Sequence, residues 1–146
     1  MNDKADGFYK TVEAFMEYCR TTEQFVLEDT QTLLLMIMDL YRLALCLPEG
    51  NYDEEYESSF TTIPIALKFG ELDPYWEIYD PREFDEPVAG SLYDDVCSIF
   101  NDLRCGADLY ERGRKNAACE SWKISFDTHW RNHATDAIRA LNYIVQ

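Results

Sequence analysis

The stretch Trp122-Lys123-Ile124-Ser125-Phe126-Asp127-Thr128-His129-Trp130-Arg131-Asn132-His133-Ala134-Thr135-Asp136 decides the fold. Trp122, Phe126 and His133, continued by Ala137, Ala140, Leu141 and Ile144, fall on one face at helical spacing, with Trp130 on the flank. The pattern predicts one helix from near Asn116 almost to Gln146. His129 and His133 are the only histidines in the chain. Four residues apart on a helix, their rings project the same way, and Asp136 joins them one turn later.

Upstream, the same periodicity recurs. Ser91-Leu92-Tyr93-Asp94 resembles a capping box with Asp in place of the usual Glu. It opens a helix with the stripe Leu92, Val96, Ile99, Leu103, Ala107 and Tyr110, which Gly113 ends. A first helix is expected from about Gly7 to Thr22 on Phe8, Val12, Phe15 and Cys19. A second runs from Asp29 or Thr30, either of which can cap it, to Leu47, where Pro48 stops it. Apolar residues cover most of the second helix, which predicts a central position. A short helix is predicted over Ile63 to Phe69, with Thr62 as cap, Pro64 in its first turn and Gly70 at its end. The expected fold is all-α: a single helical domain over residues 1–146, with four long helices and one short one. A long loop, Glu71 to Gly90, precedes the last two long helices. It is punctuated by Asp73-Pro74, Asp80-Pro81 and Glu86-Pro87 but rich in aromatic residues, so it is expected to pack over the bundle. Met1 to Asp6 and the acidic loop Glu49 to Ser59 are expected to be mobile.

Composition narrows the function classes. Hydrophobic residues make up 47% of the chain, which excludes the disordered class. The polar, acidic start lacks the pattern of a secretory signal. The most apolar run, Leu33 to Leu47, is too short to span a bilayer. The five cysteines form no CxxC pair and read as reduced thiols of a cytoplasmic protein. Net charge is −15, concentrated in the first 110 residues, where twenty-four acidic side chains face seven basic ones. Such a field disfavours nucleic acid and anionic membranes as partners and favours a basic protein.

Two function readings follow. The first is a non-enzymatic protein-interaction domain, in one version immunity- or inhibitor-like towards a basic target, with Tyr75, Trp76, Tyr79 and Glu86 as its partner surface and no cofactor. The second is a metal-binding protein or metal-dependent enzyme. Asp95 and Asp102 lie two turns apart beside the stripe of their helix. A short connection makes that helix an antiparallel neighbour of the last one. His129, His133, Asp136, Asp95 and Asp102 would then meet in a dry seam, a donor set suited to zinc, manganese or iron. The same residues also suit a structural polar network, or acid/base chemistry without metal. The spacing lacks the glutamate of HExxH. Glu13 and Glu17, also four apart, read as a solvated face. Oligomeric state stays open.

Three stretches besides the last helix carry a resemblance: Tyr75-Trp76-Glu77-Ile78-Tyr79-Asp80-Pro81, Glu86-Pro87-Val88-Ala89-Gly90-Ser91-Leu92-Tyr93-Asp94-Asp95, and Ile99-Phe100-Asn101-Asp102-Leu103. Together with Trp122 to Leu141 they resemble a family of small bacterial proteins called domain of unknown function 5063. The resemblance is best over residues 72–145. Further upstream it is one of pattern, as in Val12-Glu13-x-Phe15-x-Glu17-Tyr18-Cys19. It implies an all-helical fold and carries no activity, ligand or cofactor.

Overall fold

The computed structural model describes residues 3–49 and 61–145. It is helical, with a small antiparallel hairpin: α1 (Asp3–Thr21), α2 (Thr30–Leu45), β1 (Pro74–Glu77), β2 (Val88–Ser91), α3 (Leu92–Glu111), α4 (Lys115–Ser125) and α5 (Arg131–Val145). A π-helical turn, Phe126–Trp130, joins α4 to α5, so the expected last helix is one continuous helical run. Four long helical runs result among the described residues, as the periodicity predicts. No described helix is long and apolar enough to cross a membrane. Apart from Glu49, the acidic loop lies outside the described residues.

The apolar stripes become the core. Ala5, Phe8, Val12, Phe15 and Cys19 of α1 are buried, as are Leu33, Ile37, Leu40 and Ala44 of α2 and Val96, Ile99 and Leu103 of α3. The long run from α4 to α5 packs against α3, and α5 also packs against α2. Trp122, Phe126 and Trp130 are fully buried; Phe8 meets the Trp122 ring edge-on at 5.0 Å. Side chains of this size stabilise the fold by about 1.5–3 kcal/mol each on burial. Gly106 lets Trp122 dock, since a Cβ there would come within 2.2 Å of the indole nitrogen, which donates to the Leu103 carbonyl at 3.1 Å.

Several expectations change. α1 begins at Asp3, earlier than Gly7, because Ala5 is buried and Asp6 pairs with Lys115 at 3.0 Å. The start of the chain from Asp3 is therefore helical. α2 is not central: with four helical runs each keeps an outer face, and Leu35, Met38 and Leu45 are exposed on this one. Asp29 caps no amide of α2; its carboxylate accepts from the Val26 N–H at 3.0 Å and closes the preceding turn.

The predicted short helix Ile63 to Phe69 is absent. Ile65, Leu67 and Phe69 are buried while Pro64, Ala66 and Lys68 are exposed, the alternation of an extended chain. Lys68 pairs with the chain around Gln24: Phe25 N–H donates to Lys68 C=O at 2.8 Å and Lys68 N–H to Glu23 C=O at 2.9 Å. The Asn101 amide grips Ile63 at both its N–H and its C=O, each at 2.9 Å. These tertiary hydrogen bonds outweigh a helix of only two turns.

The long loop contains the hairpin, in which Tyr75 opposes Gly90 and Glu77 opposes Val88. Strands of four residues are too short to read from alternation alone. Asp73 locks them to α3: its carboxylate accepts from Ser91 Oγ at 2.8 Å and from Tyr93 N–H at 2.7 Å. Ser91 Oγ in turn accepts from Asp94 N–H at 3.1 Å, so the predicted cap is present with Asp73 as its second member.

Candidate functional site

The antiparallel packing of α3 on the run from α4 to α5 brings aspartates and histidines level. His133 Nδ1 lies 2.8 Å from Asp95 Oδ1, and His129 Nδ1 lies 2.6 Å from Asp102 Oδ2. A carboxylate accepts only, so the Nδ1 nitrogens carry the protons. The two rings meet edge to face, with centroids 4.9 Å apart and planes at 76°.

The π-helical turn sets this geometry. It holds one residue more per turn than an α-helix, with Arg131 N–H donating to the Phe126 C=O. Everything after it is rotated back by about 100°. Trp130, expected on the flank, is therefore buried, while Ala134, Ala137 and Leu141 continue the stripe. His133, expected at its centre, moves to the edge and faces α3. The seam is only partly dry: the His133 side chain is 21% exposed and that of His129 53%.

Asp95 is buried and receives a second donor, the Tyr75 hydroxyl, from the hairpin. Burial pushes the Asp95 carboxyl up, while the hydrogen bonds from His133 and Tyr75 pull it down. The Asp95 contact holds His133 above the usual imidazole range, against the effect of burial. Burial raises Asp102 too, and its bond to His129 opposes that. Burial and the Asp95 carboxylate raise the Tyr75 hydroxyl, which stays a donor.

Asp136 does not join the histidine pairs. It lies beside Glu77 on β1, and burial together with the neighbouring Asp136 carboxylate pushes Glu77 up to about 7. Asp94, which the sequence reading passed over, comes within 4.8 Å of ligand atoms of both Asp95 and His133.

The expected partner surface divides, by alternation within β1 and by the turn of the chain after Glu77. Tyr75 and Glu77 turn inward, whereas Trp76 is 74% and Tyr79 79% exposed. Glu86 is exposed on the connecting loop. A cleft of about 650 Å³ opens between the hairpin and α5, lined by Trp76, Tyr79, Pro81, Glu77, Asp136 and Arg139 among others. Tyr75 as a donor to Asp95, and the Glu77–Asp136 contact, escaped sequence reasoning. The available signal was the order Tyr75-Trp76-Glu77-Ile78, whose alternate members share a face.

Fold and site define an acidic helical bundle, roofed by an aromatic hairpin, with two carboxylate–histidine pairs along one seam. The chain belongs to the family described as Domain of unknown function (DUF5063), whose model matches residues 1–146, the N-terminal helices included. Among solved structures it is similar to protein BF1032 from Bacteroides fragilis. That likeness covers 99% of this chain and 97% of the other, at a TM-score of 0.69 and 16% identity, and shows the fold alone. No curated protein matches the chain.

Proposed function

We propose that this protein is an interaction domain of the bacterial cytosol that docks a basic protein segment on the outer face of its hairpin. One observation carries the reading: large aromatic side chains stand in solvent at the rim of a cleft on an acidic molecule. Trp76, Tyr79 and Phe84 are exposed, as are Ile78 and Val88 in part. Exposed apolar clusters of this kind mark docking surfaces, and aromatic residues dominate binding energy there. Glu77, Asp136 and Arg139 line the cleft, and the chain as a whole carries −15. A positive partner is therefore steered in by the long-range field and held by aromatic contacts. An inhibitor- or immunity-like role towards a basic target is the form of this reading that uses the charge most fully. All five cysteines are free, in keeping with a reducing compartment.

The test is affinity capture from bacterial lysate at low and high salt, with wild type beside a Trp76→Ala/Tyr79→Ala variant. A basic protein retained by wild type at low salt, and lost both at high salt and from the variant, supports the reading. Retention indifferent to salt or to the two substitutions, or no retention, overturns it.

A further inference from the structure

We propose that His129 and His133 form a binding site for a borderline divalent transition ion, zinc above all, each ring ligating through Nε2. The inference is independent of the docking surface. Each imidazole is oriented by a carboxylate on α3 through Nδ1, at 2.6 Å for His129 and 2.8 Å for His133. Metal-ligating histidines are held in this way, with one nitrogen donating to an outer carboxylate while the other faces the ion. Among the described residues neither Nε2 has a protein partner. The rings are also spaced for one ion: a tetrahedral centre with Zn–N bonds of about 2.0–2.1 Å holds two ring centroids about 5 Å apart, and these lie 4.9 Å apart.

The backbone supplies a second, independent observation. The π-helical turn Phe126–Trp130 contains His129 and ends three residues before His133. In a straight α-helix His133 would point into the apolar core. The turn brings both rings to the partly exposed edge of the seam, facing the aspartates of α3. Such turns recur at functional sites.

The roles of the carboxylates differ from those the sequence suggested. Asp95 and Asp102 hold the rings, while Asp136 is engaged by Glu77. Asp94 lies within 4.8 Å of a ligand atom of His133, in a group with Asp95 that does not include His129, so the two imidazoles are the protein ligands. Water completes the coordination. Imidazole selects zinc over magnesium, which prefers all-oxygen shells. The acidic field draws any cation inward.

The test is zinc titration of chelator-treated, full-length protein against a chromophoric competitor. Wild type, His129→Ala and Asp102→Asn are compared, with helical content checked for each by circular dichroism. His129 is exposed, so its loss leaves the fold intact. The expected result is one zinc per chain, weakened about tenfold or more in His129→Ala and by about 10–100-fold in Asp102→Asn, with a wild-type shift of both Nε2 signals in nitrogen-15 spectra. Magnesium leaves those signals in place. No zinc uptake by wild type overturns the site. Uptake undiminished in folded His129→Ala, as ligation through the exposed thiol of Cys46 would give, overturns it equally.

Discussion

The Tyr75 hydroxyl reaches across the hairpin to Asp95, the buried carboxylate of α3 that also receives His133. Gly90, directly opposite in the strand register, makes the crossing possible. A Cβ on Gly90 would lie 2.4 Å from the tyrosine ring. One residue without a side chain thus couples the roof of the molecule to its polar seam.

Gly90→Ala is predicted to push Tyr75 off Asp95 and loosen the hairpin while leaving the helices formed. Amide hydrogen exchange should rise at β1 and β2 and stay unchanged through the buried turns of α1. Tyr75→Phe isolates the hydrogen bond. It strips a donor from a buried carboxylate and should cost about 1–3 kcal/mol in denaturant unfolding. Wild-type exchange in Gly90→Ala would refute the steric coupling.

Gly106→Ala is the second close approach. The methyl would occupy the indole of Trp122, so the helix seam must open or the ring must move. Overpacking of this kind should lower stability by about 1–3 kcal/mol, although Ala is the better helix former. Unchanged stability would mean that the seam between α3 and α4 is looser than described.

Glu77 makes stability depend on pH. Its carboxyl is raised from 4.5 to about 7, facing Asp136, Asp95 and His133. The folded state therefore binds the proton more tightly than the unfolded chain. The stabilisation is complete below the unfolded value and is lost as pH climbs through the folded one. His133, raised by Asp95, acts in the same direction. Melting temperature should fall across that window, and Glu77→Gln, which removes the titrating charge, should flatten the fall. A rise over the same range would contradict the Glu77–Asp136 contact.

Deleting Thr128, an exposed residue inside the π-helical turn, should convert the turn to α-helix with both flanks in place. The bundle should fold with native helical content, and His129 should lose its pairing with Asp102. Retention of that pairing, seen as a His129 Nδ1 proton still protected from exchange, would show that the turn does not set the geometry.

The four helical runs were legible because each carries a core-facing stripe that one period describes: Phe8, Val12, Phe15 and Cys19 needed nothing but spacing. That the two histidines come level with Asp95 and Asp102 was legible for a similar reason, since a short connection implies antiparallel neighbours; which aspartate meets which ring was not. Three features were not. Residues 63–69 carry helix-start chemistry at Thr62 and Pro64. The side chain of Asn101 and the backbone near Gln24, both distant in sequence, hold the segment extended. The hairpin pairs four-residue strands across ten intervening residues, too little pattern over too long a gap. The π-helical turn hides because a period assumed constant gives no warning that it slips. That slip, at Phe126–Trp130, moves His133 from the core to the seam.

The most direct test of the paired seam is the nitrogen-15 spectrum of the two histidine rings, recorded at alkaline pH and before any metal is added. Proton on Nδ1 and bare Nε2 in both rings, with the Nδ1 protons protected from exchange, is the predicted result. Protonated Nε2 in either ring, or the averaged signals of a freely rotating imidazole, would contradict it.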